Sequence, residues 1–95
     1  MPKGYVIVNA NVTDTSKYDA YRPLSAAAVA AYGGTFIVRG GQQEVVEGQT
    51  HTRTVVIEFD SFEQAKAFYH SPEYTQAREV RAGAAQANIV CVEGA

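Results

Sequence analysis

Val55-Val56-Ile57-Glu58-Phe59-Asp60-Ser61-Phe62-Glu63-Gln64-Ala65-Lys66-Ala67-Phe68-Tyr69-His70-Ser71-Pro72-Glu73-Tyr74 is the stretch whose reading decides the fold. Val55 to Phe59 has the length and β-branched content of a buried strand. Ser61 followed three residues later by Gln64 is a capping-box pattern, and Phe62, Ala65, Phe68 and Tyr69 then recur at helical spacing. Ser71 is placed to cap a second helical start. Pro72 fits its first position, where no amide hydrogen is needed, and Glu73 complements the positive end of the helix dipole. The stretch therefore reads as a strand, a cap and a helix in two parts, with His70 at the corner between the parts.

The 95 residues around it suffice for one domain. A chain of this length buries roughly 60–65% of its unfolded surface, enough for a single modest core. Eight Lys and Arg against ten Asp and Glu leave a net charge of −2, and no basic stripe interleaves with aromatics, so nucleic acid is not an expected partner. The apolar run from Tyr5 to Val8 is too short for a membrane span or a signal peptide's apolar region, which makes a cytoplasmic location without membrane attachment the expectation. The single cysteine, Cys91, rules out an internal disulfide and, with only His51 and His70 as companions, a structural zinc cluster.

Outward from the central stretch, Gly4 to Val12 reads as a first strand with Tyr5, Ile7, Asn9 and Asn11 on one face and Val6, Val8, Ala10 and Val12 on the other. Thr13-Asp14-Thr15 supplies a turn and a cap. Tyr18, Tyr21, Leu24, Ser25, Ala28, Val29 and Tyr32 then mark a long helix ending at Gly33-Gly34, with a kink or break expected at Pro23. Thr35 to Arg39 forms a second strand, with a bend or bulge at Gly40-Gly41 and a continuation expected through Glu44 to Glu47. After the central stretch, Tyr74, Ala77, Arg78 and Arg81 stack on one side of the later helix, and Asn88 to Glu93 is the last strand.

The resulting order is β-α-β-β-α-β, the ferredoxin-like split unit, an α+β fold with a four-stranded antiparallel sheet and its first and third strands central. Helices cover one sheet face only. Yet the strands place apolar residues on both faces: Val6 and Ile7, Phe36 and Ile37, Val56 and Ile57, Val90 and Cys91. A sheet with one wet face would alternate apolar with polar. The simplest cover for the second face is the same face of another copy, so a homodimer through the sheet is expected.

Several side chains have the chemistry of a site. His70, between Tyr69 and Tyr74, is the acid–base candidate because imidazole is the side chain suited to proton transfer at neutral pH; otherwise it is a corner histidine bonded to backbone carbonyls. Arg39 stands at a strand end before two glycines, where a guanidinium can reach a carboxylate or enolate. The competing assignment is a cross-strand ion pair with Glu58. Arg78 and Arg81 beside Tyr74 form either an anion site or a solvated face. Tyr18, Tyr21 and Tyr32 either line a cleft with their phenols or serve as core with wet hydroxyls. His51 lies in a polar loop, and Cys91 reads as a small apolar residue.

Together, Gly4-Tyr5, Tyr18 and Tyr21, Tyr32-Gly33-Gly34, Val38-Arg39-Gly40-Gly41, Val46-Glu47-Gly48, Val56-Ile57-Glu58-Phe59, Ala67 to Tyr74 and Ile89 to Gly94 resemble the bacterial family called domain of unknown function 1330. The resemblance covers nearly the whole chain and implies membership of the dimeric α/β-barrel superfamily. Relatives there include cofactor-independent monooxygenases, muconolactone isomerases and haem-degrading enzymes. It implies a fold and a kinship rather than a reaction.

Two functions from different classes follow. One is an enzyme without a bound cofactor that acts on a small carbonyl, phenolic or lactone substrate between sheet and helices. In it His70, Arg39 and Tyr69 are catalytic, and Tyr18, Tyr21, Glu58, Tyr74 and Arg78 bind the ligand. The other is a non-catalytic dimeric ligand-binding or stress-related module in which these groups satisfy each other. A haem-binding variant would rest on His70 as axial ligand.

Overall fold

The computed structural model describes residues 2–95. Its elements run β1 (Gly4–Val12), α1 (Thr15–Ala31), β2 (Thr35–Arg39), β3 (Arg53–Phe59), α2 (Phe62–Tyr69), α3 (Pro72–Arg81) and β4 (Ala85–Glu93). The strands form one antiparallel sheet in the order β2-β3-β1-β4, with the first and third strands central. All three helix starts carry the expected caps. Asp14 accepts from the Lys17 amide, Ser61 from the Gln64 amide and Ser71 from the Tyr74 amide, each at 3.1 Å. Ser71 also donates to the Phe68 carbonyl at 2.7 Å, so one hydroxyl closes α2 and opens α3. The helix expected to break at Pro23 does not; α1 runs unbroken from Thr15 to Ala31.

Strand alternation builds the core. Val6, Val8 and Ala10 of β1 and Val55, Ile57 and Phe59 of β3 are buried against the helices. From the helices, Ala28, Val29, Ala65, Phe68, Tyr74 and Ala77 meet them. The Phe68 ring stands 5.2 Å from Phe59 and 4.6 Å from Tyr74, tying α2 to the sheet and to α3. Tertiary burial of this kind, more than helix propensity, holds short helices such as α2 in place.

Three local features differ from the sequence reading. The expected continuation of β2 through Glu44 to Glu47 is absent: no strand is formed between Arg39 and Arg53. Polar bonds hold that loop instead. Asn9 Oδ1 accepts from the Thr50 hydroxyl at 2.6 Å and the His51 amide at 2.8 Å, while Gln43 donates to the His51 carbonyl at 2.8 Å. β4 begins at Ala85 rather than Asn88, because β1 offers partners out to Val12, opposite Ala85.

The third difference is a bulge in β2. Phe36 pairs with Ile57, Val38 with Val56 and Arg39 with Val55, so Ile37 is an extra residue. Residues three apart in a regular strand point to opposite faces. Here the extra residue restores the phase and sets both Phe36 and Arg39 opposite residues of the helix-covered face. Glu58 is on the other face, across from Tyr5 and Thr35. The cross-strand Arg39–Glu58 ion pair is therefore not formed; Glu58 accepts from the Tyr5 hydroxyl at 3.2 Å instead.

The molecule measures 36 × 33 × 17 Å. Seventeen ångströms is the depth of one helix layer on one sheet. Among the described residues nothing covers the outer sheet face, where Ile37 is 51% and Val90 54% exposed and Val38 and Val92 are also open.

Candidate ligand pocket

Between α1, α3 and the β2–β3 side of the sheet lies a recess. α1 contributes Tyr18, Tyr21, Arg22 and Ser25, which fall at i, i+3, i+4 and i+7 and hence on one helix face. β2 contributes Phe36 and Arg39, brought together by the bulge, and α3 contributes Tyr74. Val8, Val55 and Ile57 form the sheet wall. Its innermost volume is about 30 Å³, and all the empty space out to the open mouth comes to about 390 Å³. The inner part has room for a water or two.

The Tyr21 and Tyr74 hydroxyls share a hydrogen bond of 2.8 Å, and the Tyr18 ring lies 5.2 Å from that of Tyr21. Burial, and next the neighbouring Tyr21, push the Tyr74 phenol well above its ordinary range. Tyr74 therefore keeps its proton and acts as a hydrogen-bond partner, not a base. Arg39 lies over the Phe36 ring at 4.1 Å. Two further arginines stand beside the tyrosines, Arg53 over Tyr18 at 5.8 Å and Arg81 over Tyr21 at 5.4 Å.

The raised Tyr74 value has a signed consequence for stability. Below about pH 10 the phenol is protonated both in the fold and in the unfolded chain, so its buried neutral form contributes in full. Above that the unfolded chain loses the proton while the fold retains it. Stability then falls by roughly 1.4 kcal/mol per pH unit for this group. Urea midpoints measured at mildly and strongly alkaline pH are expected to show this slope flattened in Tyr74→Phe. An unchanged slope in the variant would contradict the assignment.

The structure divides the sequence candidates between two places. Tyr18, Tyr21, Arg39 and Tyr74 meet in the recess, whereas Tyr69, His70, Glu58 and Arg78 do not line it. Arg78 donates to the Tyr69 hydroxyl at 2.7 Å and lies over its ring at 4.7 Å. His70 is exposed, closes α2 through its backbone amide to the Lys66 carbonyl, and stands edge-on to Tyr69 at 5.2 Å. The corner thus holds an arginine–tyrosine pair with a solvated imidazole beside it. Arg22, Ser25 and Phe36 were not singled out as site residues, although the spacing of Arg22 and Ser25 from Tyr18 and Tyr21 carried the signal. Cys91 pairs with Val6 on the covered face, and burial raises its thiol pKa, which leaves it a poor nucleophile. Among the described residues no three His, Cys, Asp or Glu side chains converge as a metal site, and no helix is long and apolar enough to cross a membrane.

A βαββαβ order with helices on one face of a four-stranded antiparallel sheet defines a ferredoxin-like α+β domain, here with its second helix broken in two. The chain belongs to the family described as domain of unknown function DUF1330, whose sequence model matches residues 3–95. Among solved structures it is similar to the RPA0582 protein of unknown function from Rhodopseudomonas palustris, at 16% identity and a TM-score of 0.76, covering 99% of this chain and 83% of that one. A dimeric protein of unknown function and ferredoxin-like fold from Bacteroides fragilis is similar at 16% identity and a TM-score of 0.64, covering 96% and 95%. SnoaB, a cofactor-independent oxygenase from Streptomyces nogalater, is similar at 9% identity and a TM-score of 0.69, covering 97% and 92%. No curated protein matches the sequence.

Proposed function

We propose that the protein is a homodimeric enzyme that works without a bound cofactor on a small carbonyl, phenolic or lactone compound held in the recess. The observation that carries this reading is the convergence of a shared tyrosine hydroxyl pair, Tyr21 and Tyr74, with Arg39 on the wall of one half-open apolar recess. Such a site binds an apolar body and addresses one oxygen of it with donors. Tyr21 hydrogen-bonds the substrate oxygen, Tyr74 orients Tyr21, and Arg39 faces negative charge as it develops. His70 and Tyr69, the proton-moving candidates of the sequence, lie outside the recess, and the pair that lines it, Tyr21 and Tyr74, acts there by hydrogen bonding. Similarity to a cofactor-independent oxygenase supports the class of chemistry and no more than the class.

The dimer is supported by the uncovered apolar sheet face and by the dimeric state named for the Bacteroides fragilis relative. Pairing two such faces isologously gives each sheet a second core. Sedimentation at micromolar concentration is expected to show a dimer.

A second reading, a non-catalytic binding or stress-related module, is favoured by the small inner volume and by the tyrosines satisfying each other. The experiment separates the two. A panel of small carbonyl, phenolic and lactone compounds is screened for thermal stabilisation and for consumption, with the wild type beside Tyr21→Phe. Consumption that falls at least about tenfold in Tyr21→Phe, the loss of one hydrogen bond to developing charge, is the expected result. Stabilisation without consumption of any compound overturns the enzyme in favour of the module.

A further inference from the structure

We propose that the recess takes an anion, a single-ring aromatic carboxylate whose ring rests against the open side of the recess and whose carboxylate is held at the mouth by Arg39 and Arg22. The proposal rests on the recess being the ligand site. It adds the charge and class of the ligand.

The chain carries five arginines, Arg22, Arg39, Arg53, Arg78 and Arg81. Among the described residues, none of them forms an ion pair. The two ion pairs present, Lys3 with Asp60 at 3.7 Å and Lys66 with Glu63 at 3.2 Å, both use lysine. Four of the five arginines gather on the same side of the molecule's core: Arg22 and Arg39 line the recess, and Arg53 and Arg81 lie over rings of the tyrosines that form it. No Asp or Glu lines it. In a chain whose net charge is −2, this is a local excess of positive charge that composition does not explain. Low-dielectric walls around a single sign of charge concentrate ions of the opposite sign.

The way the arginines are held points the same way. Arg39 reaches the recess only because the bulge at Ile37 shifts its face, and Phe36 supports its guanidinium from below. Arg53 is packed against Gly40, where positive φ and the missing Cβ leave space for its guanidinium; any side chain there would collide with it. Guanidinium on an aromatic face is preorganised for planar carboxylate, and bidentate geometry favours carboxylate over a lone chloride. The inner part, about 30 Å³, holds a water or two, so the ring lies toward the open mouth, beside Arg22 and Arg39.

The test uses the full chain with 4-hydroxybenzoate and its uncharged methyl ester as probes, binding being read by calorimetry and by tyrosine fluorescence. The acid is expected to bind at least about tenfold more tightly than the ester, the effect of one charge-assisted hydrogen bond. Its affinity should weaken as salt is raised while the ester's does not. Arg39→Gln, at an exposed side chain, should remove most of the difference, and Arg78→Gln, outside the recess, should leave it intact. Equal binding of acid and ester overturns the anion proposal and leaves the recess standing as a ligand site. Binding of neither probe overturns the anion proposal directly. An acid preference that survives Arg39→Gln together with Arg22→Gln also overturns it, by placing the charge contact elsewhere.

Discussion

Phe68→Ala is expected to remove about 3–5 kcal/mol of folding stability, the range for deleting a fully buried aromatic ring. Phe68 has no exposed surface and is the contact through which α2 reaches both Phe59 on the sheet and Tyr74 on α3. The cavity left would lie where a strand and two helices meet, and three elements cannot all collapse into it at once. A domain of this size has about 5–15 kcal/mol in total, so the variant should sit near the edge of folding. Urea denaturation at equal protein concentration measures it. A loss below about 1 kcal/mol would mean that the aromatic cluster is not what fastens α2.

Gly4→Ala should rank next, although it adds only a methyl group. A Cβ at Gly4 would fall on the backbone of Ser61, and within 2.6 Å of the Phe62 nitrogen. Backbone cannot swing aside as a side-chain tip can. Either the start of β1 lifts from the sheet or the first turn of α2 shifts. Overpacking of this kind costs about 1–3 kcal/mol. A shift of α2 would add roughly 1 more by loosening the Ser61 cap. The internal comparison is Gly41→Ala, where a Cβ meets nothing within 4 Å; its effect should stay within about 0.5 kcal/mol. Faster hydrogen exchange at the Gln64 amide in Gly4→Ala alone would locate the damage at the cap.

How much of this was legible beforehand depended on how local the cause was. Ser61 with Gln64, and Ser71 with Pro72, act within one helical turn, and both caps stand where their spacing placed them. Apolar residues on both strand faces predicted the uncovered outer sheet. The bulge at Ile37 was not legible, because it is fixed by how β2 registers on β3, and no residue of Thr35 to Arg39 demands it. That one shift decided between the two assignments of Arg39, excluding the ion pair with Glu58 and setting its side chain on the recess wall. The extension of β4 to Ala85 was hidden for a similar reason: Ala85-Gln86-Ala87 has weak strand character, and β1 supplies the pairing. Of the residues that line the recess, Tyr18, Tyr21, Tyr74 and Arg39 are among the sequence candidates. Tyr69, His70 and Arg78 are close in sequence to Tyr74, but the α2–α3 corner turns them away from the recess.

The bulge also governs which parts of the sheet remain open to other chains. β2 is an edge strand of five residues with an interrupted ladder, a poor template for another chain adding a strand beside it. The opposite edge, β4, is nine residues long and pairs with β1 without a register shift. Association by strand addition is thus discouraged along one margin of the sheet. If the protein misassembles when crowded or partly unfolded, growth should start along β4, where a lysine on an outward position would serve as a guard.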